Sequence, residues 1–190
     1  MKRVRILSVW WAATAIATAA LVPPRGLGAQ GTAQGIKVHG HWSIEVRNAD
    51  GTLRLRRDFE NSLLDGGRTV ISQLLSGGGT VDYWVVYLFT LGGGGPCSGG
   101  TCNITEPSGP STTDSRNLTK TVTPGSQLVL HGSFVATTDA AINVVGTNVV
   151  TTQTGTSLPI PYPFTSATLA SAISVQATQT VSVTVTFTFS

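Results

Sequence analysis

The chain is 190 residues long, 41% hydrophobic and only 11% charged, with a formal net charge of +3. So high an apolar fraction excludes a disordered chain, and low charge with abundant Gly, Thr and Ser suits an exported β protein better than an intracellular enzyme. Four of the twelve basic residues (Lys2, Arg3, Arg5, Arg25) precede Gln30, which leaves eight against nine acidic ones, a net of −1; without a basic body, nucleic-acid binding loses its electrostatic footing.

Lys2, Arg3 and Arg5 precede an apolar run of 17 residues from Ile6 to Val22, with small residues following near Ala29. A positive start, an apolar middle and a small-residue cut site form the pattern of a secretory signal peptide. The run is short for a spanning helix, which needs about 20 apolar residues. Residues 1–29 are therefore expected to be a signal peptide, cut after Ala29 or, alternatively, after Ala33. Its contact with a membrane is transient, and the destination is secreted, periplasmic or at the cell surface. Residues 30–35, rich in Gly, Gln and Ala, form a linker, and 36–190 make a single domain of ordinary size.

Alternation begins at Ile36: Ile36, Val38, Gly40, Trp42, Ile44 and Val46 face one way, and Lys37, His39, His41, Ser43, Glu45 and Arg47 the other. Asn48-Ala49-Asp50-Gly51 is a turn, and Leu53 and Leu55 continue a second strand toward Phe59, completing a β-hairpin. Arg54, Arg56 and Arg57 on it read as a solvated face. A helix follows over about 65–76, with Asp65 as its expected cap and Val70, Ile71, Leu74 and Leu75 as its apolar stripe. Val81 to Leu91 is apolar on both faces and reads as a central strand covered on both sides. Gly92 to Pro110 is a long Gly-rich loop.

Inside that loop lie Cys97 and Cys102, the only cysteines, with four residues between them. In an oxidising compartment they should pair, and so small a ring serves to stiffen the loop more than to stabilise the whole fold. The remainder is strands: Asn117–Val122, Gln127–Thr138, Ile142–Thr152, Thr165–Gln176 and Thr180–Phe189. The last alternates without a break, placing Val181, Val183, Val185, Phe187 and Phe189 on one face. Gln153 to Pro163 is expected to be a connection, since Pro159, Pro161 and Pro163 exclude a central strand. The fold class is mainly β, a two-layer sandwich or jelly-roll-like body with one short helix.

The order of features carries a resemblance. Phe59-Glu60-Asn61-Ser62-Leu63 leads to Gly66-Gly67, a short helix ending at Leu75, a Gly break, an aromatic strand ending at Gly92 and a polar stretch. Thr-rich strands, Phe164-Thr165 and the alternating terminal strand follow. Over about 36–190 this resembles small β-sandwich proteins among phage tail-fibre and tail-tip components and related uncharacterised exported bacterial proteins. The resemblance implies a structural or receptor-binding part of an oligomer, and no catalytic motif. The export signal departs from the phage pattern and points to a surface or extracellular relative.

Candidate chemistry is sparse. His39 and His41 lie two apart on one strand face with Glu45 further along, a weak metal-ligand pattern that a solvated face produces by default; His131 lies in another strand. Gly95-Pro96-Cys97-Ser98-Gly99 mimics a nucleophile elbow but lacks the strand before and the helix after. Asp82, beside Tyr83 and Trp84, is the acid best placed for sugar chemistry, though core packing is the commoner use of such aromatics. The glycine runs at 77–79 and 92–95 lack the Lys-Ser/Thr of a phosphate loop. Asn103 and Asn117 open glycan-acceptor triplets. No catalytic residue and no cofactor are expected.

The expectation is therefore a non-enzymatic structural protein that partners itself as a homo-oligomer or filament through strand edges. A carbohydrate- or receptor-binding module using Tyr83, Trp84 or Tyr162 is the alternative, and a small secreted hydrolase the third reading.

Overall fold

The computed structural model describes residues 36–91, 95–97, 100–110 and 114–190. The expected signal peptide at 1–29 and linker at 30–35 lie outside them. Among the described residues, nine strands and one helix follow in the order β1 (Val38–Arg47), β2 (Leu53–Leu63), α1 (Asp65–Leu75), β3 (Gly79–Phe89), β4 (Thr101–Thr105), β5 (Thr119–Thr123), β6 (Gln127–Val135), β7 (Ala140–Gln153), β8 (Pro159–Val175) and β9 (Thr180–Phe189).

All nine strands belong to one antiparallel sheet in the order β4-β3-β7-β8-β2-β1-β9-β6-β5. The fold line is the junction of β8 and β2, which touch through only two residue pairs, Ser62–Ser166 and Leu63–Thr165. About that line the sheet curls until its apolar faces meet, which makes the body sandwich-like. Alternation supplies those faces: Trp42, Ile44 and Val46 of β1 and Val181, Val183, Val185 and Phe187 of β9 are each 1% exposed or less. From the opposite layer, Trp84 meets Phe164 edge-on at 4.9 Å and lies 5.8 Å from Phe187. Aromatic burial of this kind dominates the energetics of such a core.

Three local expectations are corrected. The proline-rich stretch is strand: Pro159, Pro161 and Pro163 pair with Thr152, Val150 and Asn148 of β7. They are tolerated because all three share one parity and because β2 does not pair with this part of β8, so no ladder bond needs the missing N–H groups. The supposed loop after β3 contains β4, whose residues Thr101–Thr105 pair with Val85–Phe89. Finally, Leu64 and not Asp65 occupies the N-cap of α1, with no side-chain cap; the Asp65 carboxylate accepts from Arg68 at 2.9 Å. The remaining strands fall close to where alternation places them, but β3 buries only Trp84, Val86 and Leu88, so it is covered on one face and not on both as expected.

The two edges of the sheet differ. At β4, Ser115 accepts from the Thr105 N–H at 2.8 Å and donates its own N–H to Asn103 at 3.1 Å. Its hydroxyl donates to the Ser133 carbonyl of β6 at 3.0 Å. Residues 114–118 thus strap β4 to β6 and close that side of the sandwich over Leu118, which is 1% exposed. Beyond the strap lies β5, which pairs with β6 and with no other described strand. An edge of this kind is a template for further pairing.

Candidate functional site

A gap in the sandwich follows from the lengths of its elements. The pairing of β4 reaches only as far as Val85 of β3, and the chain then turns away, with the Gly109 N–H donating to the Glu106 carbonyl at 2.8 Å. The first part of β3, from Gly79 to Trp84, therefore has no strand on that side. Across the gap stands β5. Above it stands α1, docked on β8 because Gly66 and Gly67 let its first turn lie against Pro163 and Phe164.

The gap is a cavity of about 390 Å3, lined on the helix side by Val70, Ile71 and Leu74, on the β3 side by Val81, Trp84 and, from β8, Phe164, and across from them by Val122, Leu128 and Phe189. Its polar groups are few: Lys120, Ser126 and Gln127. A second hollow of about 510 Å3 adjoins it and shares Ile71, Leu74 and Phe189, with Ile36 and Leu75 added. The apolar stripe of α1 is thus only half used. Val70 is buried at 1% exposure, while Leu74 stands 37% and Leu75 71% exposed. Val122 of β5, whose parity points it to the inner face, is 72% exposed because no strand covers it.

Charge at the rim is neutralised internally. Lys120 Nζ lies 3.1 Å from Glu106 Oε1, and the other Glu106 oxygen accepts the Trp84 backbone N–H at 2.8 Å. That second bond satisfies a strand amide that β4 leaves without a partner.

The residues singled out from the sequence are dispersed. Trp84 forms the floor of the cavity and is 6% exposed. Tyr83 is on the other face of β3, and Tyr162 lies beneath α1 with its hydroxyl accepting from Gln153 at 2.8 Å. The three do not converge on one surface. Asp82 accepts from the Thr152 hydroxyl at 2.8 Å, a strand-to-strand tie.

His39, His41 and Glu45 share the outer face of β1. There Glu45 pairs with Arg47 at 2.8 Å and Arg56 at 3.3 Å, and His41 lies 3.9 Å from Asp58. His131 is two strands away across β9, about 10 Å at ordinary strand spacing, and its Nδ1 is 2.9 Å from the Thr184 hydroxyl. The Arg56 guanidinium, then the Ser43 hydroxyl, hold the Asp58 carboxyl below its ordinary range, and Asp58 in turn raises Arg56. On this solvated face Arg56 thus ties Glu45 to Asp58, whereas Arg54 donates to Gln179 Oε1 and the Ser174 carbonyl, and Arg57, opposite Ile44, has the other parity.

Cys97 and Cys102 form a disulfide with a Cα–Cα distance of 5.3 Å. The loop is anchored by the Thr137 N–H donating to the Pro96 carbonyl at 2.8 Å. Among the described residues, the one cluster of three metal-ligand side chains is Cys97, Cys102 and Asp114, whose two sulfurs are consumed by this bond. A disulfide is compatible with an oxidising, extracytoplasmic location. No described helix is long and apolar enough to cross a membrane.

Sequence reading reached the helix stripe and Trp84, and missed Glu106, Lys120 and Val122. Glu106 lies in a segment without periodicity, and Lys120 and Val122 lie in a short strand whose other residues are threonines, so nothing there marks a face. Comparison of the chain with family models, with curated proteins and with solved structures returns no match.

Proposed function

We propose that the protein is an exported, non-enzymatic structural protein that acts by assembling with itself at the cell surface or outside the cell. The observation that carries this reading is the half-covered stripe of α1 beside the edge of β5 that no described strand pairs, on a body whose other edge is strapped shut. Apolar side chains left uncovered here gain from burial by an incoming element, and the strand edge next to them offers that element main-chain hydrogen bonds. The dispersal of Tyr83, Trp84 and Tyr162 gives no aromatic platform for a sugar ring, and the one lysine that lines the cavity among the described residues is held by Glu106.

Light scattering coupled to size-exclusion chromatography tests the reading. The purified chain is expected to elute as an oligomer whose mass rises with concentration. A single monomeric mass at all concentrations refutes it. Cell fractionation with amino-terminal sequencing tests export separately: the expected mature start is Gln30 or, for the alternative cut, Gln34, and a cytosolic protein beginning at Met1 removes that part of the proposal.

A further inference from the structure

Resting on self-assembly as the function, we infer that the open corner between α1 and β5 is the contact surface, and that its occupant is the same corner of a second copy, joined about a two-fold axis through β5. Three features of this corner favour a copy of itself over a different partner.

The first is shape. A two-fold interface uses one patch on both sides, so that patch must carry holes and knobs together. This one does. The cavity floored by Trp84 lies beside Leu75 and Val122, which project with 71% and 72% of their surface exposed.

The second is charge. Whatever charge a two-fold patch holds meets its own sign across the axis. Here the single lysine is cancelled within the same chain by Glu106 at 3.1 Å. Two such corners therefore meet without net repulsion.

The third is register. If β5 pairs antiparallel with β5 of the second copy, all five of its residues find partners only when Thr121 sits opposite its own counterpart. Thr119 is then opposite Thr123, and Lys120 opposite Val122, so that no like charges face each other. The faces of the two sheets stay continuous across the axis, and the two cavities open onto each other.

The test uses the purified chain and five variants. Val122→Lys and Leu75→Lys place charge on the patch at positions exposed enough to leave the fold intact, which circular dichroism and thermal melting check. Val135→Lys, 58% exposed at the opposite end of β6, is the control. The expected result is a dimer for the parent and the control, and dissociation more than about tenfold easier for both patch variants. Thr121→Cys is expected to form an intermolecular disulfide on mild oxidation and Thr119→Cys not to, because off-axis positions stand several residues apart.

Oligomers that survive both patch variants overturn the choice of surface and leave self-assembly standing. A parent that is monomeric at every concentration overturns both readings. A monomer that takes up a fluorescent fatty acid, and loses it on Val122→Lys, assigns the cavity to a small apolar ligand instead. Cross-linking at Thr119 in place of Thr121 overturns the register.

Discussion

Gly67 sets two physical effects of opposite sign against each other. It lies in the first turn of α1, where Ala in place of Gly strengthens a helix by about 1 kcal/mol. On propensity alone, Gly67→Ala stabilises the protein. The packing opposes this. A Cβ at Gly67 would stand 2.8 Å from the Phe164 carbonyl oxygen, 3.1 Å from the Phe164 ring and 2.5 Å from Leu63 Cδ1. The leucine tip can rotate away, but the oxygen is fixed by a 2.9 Å bond from the Leu64 N–H, and the ring is held between Trp84 and Phe187.

The helix must therefore lift from β8, and overpacking of this kind costs roughly 1–3 kcal/mol. The balance runs from near neutral to about 2 kcal/mol destabilising, a fall of several degrees in Tm for a domain of this size. Urea unfolding followed by circular dichroism measures it, with Ser72→Ala as the reference because Ser72 is exposed on the same helix. The reference should gain a few tenths of a kcal/mol. If Gly67→Ala gains stability alongside Ser72→Ala, then α1 is not docked through its glycines, and the cavity loses its upper wall.

Replacing Cys97 and Cys102 together by Ser is expected to cost about 2 kcal/mol, the loop-closure value for so short a ring, and to leave the fold intact; equilibrium unfolding with and without reductant checks this. Gly132→Val should destabilise by about 1–3 kcal/mol, since even a Cβ there approaches Ile104 Cγ2 to 2.6 Å under the strap; a neutral result in a thermal melt means that the strap does not close this side. Asp50 and Asp58 are both held below their ordinary values, Asp50 by the Thr52 hydroxyl and N–H and Asp58 by Arg56. Depressed carboxylates contribute stability above their unfolded pKa and lose it as pH falls through the folded one. Asp50→Asn with Asp58→Asn should therefore narrow the difference in urea midpoint between pH 7 and about 3, and an unchanged difference rules out this contribution.

Much of the fold is local enough to be read from the chain. Thr180 to Phe189 alternates for its whole length, and β9 takes those same bounds because a half-buried strand is the one structure that serves such a period. The hairpin of β1 and β2 follows from alternation and the turn at Gly51, whose φ of +84° suits glycine. The proline stretch misled because proline reports a missing donor and not which neighbour would have used it; only the absence of β2 beside that part of β8 makes the residues acceptable there. The strand β4 escaped notice because Thr101–Thr105 is short and flanked by glycine, and its pairing partner is more than ten residues away in sequence.

The candidate site divides along the same line. The stripe Val70, Ile71, Leu74 and Leu75 is written in the periodicity of one helix, and pattern alone assigns all four to the core. Which of them is covered depends on how far β4 extends along β3 and on where the sheet folds, and those are relations between segments distant in sequence. The sequence by itself determined that this is a β protein with one amphipathic helix, because side-chain period is a property of consecutive residues. The tertiary structure alone decided that Val70 is inside, that Leu75 and Val122 are outside, and that one corner is open, because coverage is set by neighbours no local pattern can specify.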